Sequence, residues 1–300
     1  MRSIIGLGLA AIGLASIAIG AVSAPAASTD KIVYHSKLPG RNNEILVVSS
    51  AGGAPTRLTR HKASDSNPTW SADGRKIAFE SNRRGNPRRY EDSDVYVMKA
   101  DGTGVRELTF SNAFDGDPAW SLDDRIAFES ERSGKADVWV IDADGSNEQQ
   151  LTKTPAFDGD PAWSPNGAKI AFTSERDNGD REIYVMNADG TGLTRLTNTP
   201  GIDENPSWSP NGRRIAFESM RDGNLEGYVM SADGSSQTRV TNHPALDALP
   251  AFSQNSKQIV FVSDRVRKGQ RRLFVANVNG SGVRMLSRGT FDMSPDWARG

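Results

Sequence analysis

DGDPAWSPNGAKIAFTS, at residues 158–174, is one of six copies of the same sequence unit. Its variants include DSNPTWSADGRKIAFES at 65–81 and DENPSWSPNGRRIAFES at 203–219. One aromatic residue marks each copy, about every 45 residues: Trp70, Trp120, Trp163, Trp208, Phe252 and Trp297. Self-similarity at such a period is typical of architectures built from repeated supersecondary units.

Short runs of alternating apolar residues follow each copy. DVYVM (94–98), DVWVI (137–141) and EIYVM (182–186) have the two-residue period and the β-branched and aromatic content of strands, and turns of the ADG type come next. Four strands of about six residues with their connections fill 45 residues, which is the size of one propeller blade. The sequence therefore predicts an all-β, six-bladed β-propeller with four antiparallel strands per blade.

The chain ends predict how the ring closes. IVY at 32–34 stands where other copies have IAF, and SPDWA at 294–298 matches the first strand of a copy. We therefore expect the N-terminal strands and the C-terminal strand to complete one blade, which hides sheet edges. Residues 27–300 then form a single propeller domain.

The repeat resembles that of TolB-like β-propellers. The pattern DxxPxWSPxGxxIAFxS, followed by EIYVMNADGTG and RLT, is clearest at 158–197, and the resemblance covers residues 31–300. It implies a propeller of the cell envelope that binds other proteins. Related propellers also occur in prolyl-oligopeptidase-type enzymes and in pectate-degrading lyases, so the resemblance leaves an enzymatic role open.

Residues 1–26 have the features of a secretory signal peptide. Arg2 precedes an apolar run from Ile4 to Val22, and Ala24-Pro25-Ala26 offers a small-residue cleavage site. An uncleaved membrane anchor is the alternative. We expect a periplasmic or secreted protein with no membrane span after the signal is removed.

Composition excludes several kinds of chemistry. The chain has no cysteine, so it has no disulfide, thiolate zinc site or cysteine nucleophile. The 36 basic and 37 acidic residues nearly cancel, which argues against nucleic-acid binding. The motifs of serine hydrolases, zinc proteases and nucleotide-binding loops are missing, and His61 and His243 are expected to be turn residues.

An aspartate stands three residues before the proline of every copy. We call these six the strand-start aspartates: Asp65, Asp115, Asp158, Asp203, Asp247 and Asp292. Hairpin geometry places them around the mouth of the central channel, and in five copies an arginine follows 17 or 18 residues later. Asp–Arg pairs that tie one blade to the next are one interpretation. A site for calcium or another divalent cation is the other, because hard cations prefer several oxygen ligands.

Two loops are rich in cations, and we expect them to form a docking surface for a partner. The loop at 82–93 carries Arg84, Arg88, Arg89 and Tyr90, and the loop at 264–272 carries Arg267, Lys268, Arg271 and Arg272. These loops flank the closing blade, whereas the loops on the opposite side are acidic on balance. A solvated charged surface is the plain alternative to docking.

The sequence favours a monomeric, non-catalytic protein-binding scaffold in the cell envelope. Its partner would be an acidic envelope protein or a polyanionic glycan, and no cofactor is expected apart from the cation considered above. The alternative is a carbohydrate-active or cation-dependent enzyme or lectin with its site at the channel mouth.

Overall fold

A computed structural model describes residues 31–38, 40, 42–85, 89–177 and 179–298, with the side chain of Tyr90 excepted. The proposed signal peptide, residues 1–26, lies outside this part of the chain. The described residues form six four-stranded antiparallel sheets and one 3-10 turn at Tyr90–Asp92. No helix among them has the length and apolar character needed to cross a membrane. The prediction of an all-β six-bladed propeller is confirmed.

Each sheet is one blade, and its strands follow one another outward from the central channel. In blades 1, 2 and 3 the strands are, from the channel outward, β24 (Asp292–Trp297), β1 (Lys31–Lys37), β2 (Asn43–Ser49) and β3 (Thr56–Arg57); β4 (Asp65–Trp70), β5 (Lys76–Ser81), β6 (Asp94–Lys99) and β7 (Arg106–Glu107); β8 (Asp115–Trp120), β9 (Arg125–Ser130), β10 (Asp137–Asp142) and β11 (Gln149–Gln150). In blades 4, 5 and 6 they are β12 (Asp158–Trp163), β13 (Lys169–Ser174), β14 (Glu182–Asn187) and β15 (Thr194–Arg195); β16 (Asp203–Trp208), β17 (Arg214–Ser219), β18 (Glu226–Ser231) and β19 (Thr238–Arg239); β20 (Asp247–Phe252), β21 (Gln258–Ser263), β22 (Arg272–Asn277) and β23 (Arg284–Met285).

Blade 1 closes the ring as the sequence predicts. Its innermost strand β24 pairs antiparallel with β1, with Ile32 opposite Trp297 and Ser36 opposite Asp292. The Asp296 carboxylate then reaches blade 2, where it accepts hydrogen bonds from the Trp70 backbone N–H (2.8 Å) and the Thr69 hydroxyl (3.1 Å). The two ends of the chain thus hold the ring together.

The outermost strands are shorter than predicted, with two residues each instead of about six. The Leu-Thr phrase explains the difference, because the chain leaves the sheet there. In blade 2 the Thr109 hydroxyl accepts the backbone N–H of Val95 (3.0 Å). A side chain thus takes over the hydrogen bond that a longer strand would make, and little open edge is left.

The hydrophobic core consists of layers between neighbouring blades. One layer combines Ala127 and Val140 of blade 3 with Trp163, Ile170 and Phe172 of blade 4. The other five layers are built in the same way. The repeated aromatic residue therefore packs between blades and fixes the distance between them.

A β-bulge in every innermost strand shapes the channel. In blade 2 the register between β4 and β5 shifts between Ser66 and Thr69, around Asn67 and Pro68. Proline has no N–H to donate, and Asn67 has a left-handed φ of 45°, which asparagine tolerates better than most residues. The bulge turns residue 67 toward the channel. We call the end of the propeller with the long loops the loop face, and the end with the tight hairpins the turn face.

Candidate functional site

The strand-start aspartates are buried, and five of them form ion pairs with arginine. Asp158, fully buried, accepts from the Arg176 guanidinium at 2.7 Å. The remaining pairs are Asp65–Arg83 (2.8 Å), Asp115–Arg132 (2.6 Å), Asp203–Arg221 (2.7 Å) and Asp247–Arg265 (2.6 Å). These charge-assisted bonds offset part of the cost of burying a carboxylate. Within the described residues, one oxygen each of Asp115, Asp203 and Asp247 still lacks a hydrogen-bond partner.

Each pair lies within one blade, which corrects the expectation that the pairs tie one blade to the next. Arg176 follows the second strand of the blade that Asp158 begins, and its guanidinium also stacks on Phe172 (5.2 Å) and Tyr184 (5.0 Å) of that blade. Asp292, in the blade without this arginine, accepts from the Ser287 hydroxyl, and burial raises its pKa.

The central cavity is lined by residues that come two to five positions after the strand-start aspartates. Its volume is about 160 Å³, and all six blades contribute to it. The bulge residues stand at its wall, all with φ between 45° and 55°: Asn67, Asp117, Asp160, Asn205, Leu249 and Ser294. The carboxylates that line this cavity are those of Asp117, Asp160 and Asp296.

Backbone N–H groups of the bulge residues connect the blades. The Asn67 N–H donates to His35 Nδ1 in blade 1 (3.2 Å), and the Asn205 N–H donates to the Thr173 hydroxyl in blade 4 (3.2 Å). The Leu249 N–H donates to Glu218 in blade 5 at 2.6 Å. The acceptor is in each case the residue directly before the serine near the end of the preceding blade's second strand. This repeated contact ties the blades, the role expected of the Asp–Arg pairs.

Three carboxylates, which we call the channel carboxylates, crowd together at one side of the channel. Asp117, Glu129 and Asp160 offer oxygen atoms that all lie within 4.8 Å of one another. Burial, and then the charges of neighbouring carboxylates, raise the pKa of Asp117 well above its usual range. The same causes raise the pKa of Glu129 to about 8 and that of Asp160 to about 6. Near neutral pH the cluster therefore retains protons.

The next carboxylate along the ring has a cation beside it. Glu204 accepts from the Arg181 guanidinium at 2.7 Å, whereas Glu218 lies deeper and burial raises its pKa to about 8. Oxygen-rich clusters of this kind can hold a proton or a hard cation. The strand-start aspartates give no comparable grouping within the described part of the chain.

Sequence reasoning missed the channel carboxylates. The signal was available: DGDP in blades 3 and 4 has a second aspartate directly before proline, and FES in blades 2, 3 and 5 places a glutamate one residue before the end of the second strand. Strand alternation alone could not reveal it, because the bulge at the proline breaks the two-residue period.

Both described cations predicted for docking in blade 2 are exposed, and Arg84 also makes local contacts. Arg84 lies 3.5 Å from the Asp94 carboxylate and 3.7 Å from that of Glu107, and it stacks on the exposed ring of Phe110. Arg89 is exposed. Arg88 and the side chain of Tyr90 lie outside the described residues.

The blade 6 cations divide into two groups. Arg267 and Lys268 are exposed at the tip of their loop, beside the exposed Val266. Arg271 stacks on Phe291 (5.2 Å), and Arg272 donates to the Gly289 carbonyl (3.1 Å). Those two arginines hold the connection from blade 6 to blade 1, so the outward-facing charge comes from Arg267 and Lys268.

Further exposed cations lie on the loop face of the same three blades. Within the described residues, the exposed cations of blades 6, 1 and 2 on this face are Lys37, Arg60, Lys62, Arg84, Arg89, Arg267, Lys268 and Arg288. We call these eight the basic arc. The corresponding loops of blades 3, 4 and 5 expose Glu131, Asp177, Asp180 and Asp222 against Lys135 and Lys153. The loop face is therefore electrically two-sided, although the net charge of the chain is only −1.

The two loop histidines are turn residues. His61 Nδ1 accepts the N–H of Ala63 (3.1 Å), and His243 Nδ1 accepts the N–H of Ala245 (3.0 Å). Each imidazole thus closes a local turn, as the sequence predicts.

Comparison with known proteins agrees with the repeat. The family model for the TolB beta propeller domain matches residues 146–299. This chain belongs to that family. The crystal structure of TolB from Acinetobacter baumannii has a TM-score of 0.76 and 19% identity, with 90% of this chain and 66% of that chain covered. The propeller described here thus spans about two thirds of that TolB.

Two other solved structures share the fold. The putative TolB from Agrobacterium tumefaciens is 23% identical with a TM-score of 0.67, over 88% of this chain and 89% of that one. A chain of the nidogen/laminin complex has a TM-score of 0.72 at 8% identity, over 89% of this chain and 98% of that one. At these identities the likeness shows the propeller fold alone.

Proposed function

We propose that this TolB-like propeller is an exported, non-catalytic scaffold of the cell envelope that binds an acidic protein through its basic arc. The observation that carries the proposal is the concentration of eight exposed cations on blades 6, 1 and 2 of one face. Charge separated in this way favours association with an oppositely charged surface and orients the partner on it.

Two further features support protein docking over a merely solvated surface. The exposed Phe110, stacked on Arg84, and the exposed Val266, beside Arg267, are apolar contacts next to the cations. Aromatic and arginine side chains contribute strongly to protein interfaces. A chain of the nidogen/laminin complex has the same fold, so this architecture occurs in a protein complex.

The proposal is tested by crosslinking in intact cells. A photo-crosslinking residue at Arg267 should capture one main protein with an acidic surface, identified by mass spectrometry. Changing Arg60, Lys62, Lys268 and Arg288 to serine should lower its recovery at least tenfold and remove the salt dependence of binding. The matched control changes Lys135 and Lys153 to serine on the opposite arc. Equal recovery from both variants, or capture of glycan only, would contradict the proposal.

Cation binding in the channel is the second candidate function, and the grouping of Asp117, Glu129 and Asp160 favours it. Calcium at the strand-start aspartates, one of the two interpretations of the sequence, stays a prediction as well. A melting scan with calcium and with EDTA tests both. A shift that disappears in Glu129→Gln assigns the cation to the channel, and a shift that disappears in Asp292→Asn assigns it to the strand-start aspartates. Identical melting with and without calcium would remove this candidate.

A further inference from the structure

The gaps between blades on the turn face provide an internal comparison. In the gap between blades 2 and 3, the Lys76 ammonium lies 5.8 Å from the ring centre of Trp120. The Trp120 indole N–H donates to the Asp124 carboxylate at 3.0 Å. Trp120 thus has a lysine near its ring and a carboxylate at its indole N–H.

The gap between blades 4 and 5 has the same lysine and tryptophan but no such carboxylate. Lys169 begins β13 as Lys76 begins β5, and Trp208 ends β16 as Trp120 ends β8. Gly212 takes the place of Asp124, and both residues have the left-handed conformation of the same turn, with φ of 69° and 59°. Trp208 is 95% buried, and within the described residues its indole N–H has no partner.

This gap is also an open cavity of about 470 Å³. Trp208, Lys169 and Asn211 line it together with the apolar groups of Pro165 and Ala232. The Lys169 ammonium donates to Asn187 of its own blade at 3.2 Å. The only carboxylate on the wall, that of Asp233, is exposed and already accepts from Ser235.

An arginine covers the tryptophan in the neighbouring gap between blades 3 and 4. The Trp163 indole N–H also lacks a partner, but the Arg125 guanidinium covers the ring at 4.6 Å and donates to the Gly167 carbonyl. The gap between blades 4 and 5 therefore combines a cation, an unsatisfied buried donor and room for a ligand.

We propose that the cavity between blades 4 and 5 binds a carboxylate, which accepts the Trp208 indole N–H and pairs with Lys169. The ligand carboxylate takes the place that the Asp124 side chain has between blades 2 and 3. A buried donor without a partner is costly, and a bond to a charged acceptor is stronger than one to a neutral acceptor. The apolar wall at Pro165 and Ala232 fits the body of a peptide end or the ring of a sugar acid.

The six indole N–H signals in a ¹H–¹⁵N NMR spectrum test the proposal. The Trp208 signal is identified by its loss in Trp208→Phe. N-acetylglycine represents a peptide carboxylate, glucuronate represents a sugar acid, and N-acetylglycinamide is the neutral control. We expect one or both acids to shift the Trp208 signal, while the amide leaves it in place and the Trp120 signal stays constant.

Two variants separate this binding from a general effect. Gly212→Asp supplies the carboxylate from within the chain and should lower the affinity for the acids at least tenfold, and Lys169→Met should lower it similarly. Trp120→Phe is the matched control and should leave the affinity unchanged. A Trp208 signal that neither acid moves in the folded wild-type protein would refute the proposal. Undiminished binding in Lys169→Met would refute it as well.

Discussion

The strand-start aspartates and the channel carboxylates occupy neighbouring positions of the same repeat but differ in how their charge is balanced. Asp158 has an arginine at 2.7 Å and a stack of aromatic rings behind it. Two residues later, Asp160 faces other carboxylates, and burial raises its pKa to about 6. Five of the six strand-start aspartates are neutralised by an arginine, whereas the channel carboxylates retain protons. The charge of the Asp–Arg pairs is thus insensitive to pH near neutrality, whereas the charge of the channel carboxylates changes with pH.

Removing an arginine that pairs with a strand-start aspartate should have the largest effect on the stability of the protein. Arg176→Met leaves the Asp158 carboxylate buried without its cation and should lower the free energy of unfolding by about 3–5 kcal/mol. Chemical denaturation measures this change. Lys37→Met, in the blade without such a pair, is the control and should change stability by less than about 0.5 kcal/mol. A loss below about 1 kcal/mol for Arg176→Met would mean that the pairs do not hold the blades.

The channel carboxylates should make stability fall as pH rises. The pKa of Glu129 is about 8 in the folded state and about 4.3 unfolded. Its stabilising contribution is therefore fully present below about pH 4 and is lost as pH rises toward 8, by up to about 1.4 kcal/mol per pH unit. Glu129→Gln should flatten the pH dependence between pH 5 and 8. If the stability of this variant fell with pH as steeply as that of the wild type, Glu129 would not be the source of the pH dependence.

His35 should show the opposite pH dependence. Burial lowers its pKa to about 3, so its neutral imidazole accepts the Asn67 N–H. The unfolded state takes up a proton below about pH 6.5, so the contribution of His35 is present above that pH and is lost as pH falls toward 3. His35→Gln should remove this acid-side loss in melting scans between pH 7 and 4. Equal acid sensitivity of both proteins would exclude His35 as its source.

Asp292→Asn should have the smallest effect, about 1 kcal/mol or less, because Asp292 bonds to serine hydroxyls and no arginine is left unpaired. The matched variant Asp158→Asn removes the charge beside Arg176 and should cost clearly more. Denaturation of the two variants under one condition compares them directly. Equal losses would show that the arginine adds nothing to the strand-start aspartates.

Much of the fold could be predicted because the repeat contains it. The spacing of Trp70, Trp120 and their counterparts gives the number of blades, and the partial copies at the chain ends give the closing blade. The Asp–Arg pairs could also be predicted from their 17- or 18-residue spacing, although the sequence did not show that each pair lies within one blade.

The site was harder to predict because the β-bulge changes the directions in which the side chains of the innermost strands point. Asn67 and Asp117 face the channel only because the chain takes a left-handed step before the proline. Arg271 and Arg272 look like free cations in the sequence, yet they contact Phe291 and Gly289. Arg60, Lys62 and Arg288 join the basic arc through ring closure, which brings together segments more than 200 residues apart.

The pairing of β24 with β1 also sets the order in which the protein can be completed. Blade 1 is incomplete without Asp292–Trp297, so the inner edge of β1 stays unpaired until the other five blades have been synthesised. A contact between segments this distant in sequence forms late and slowly. An unpaired β1 edge invites pairing with other chains. Correct folding therefore requires β24 to pair with β1 before another chain does.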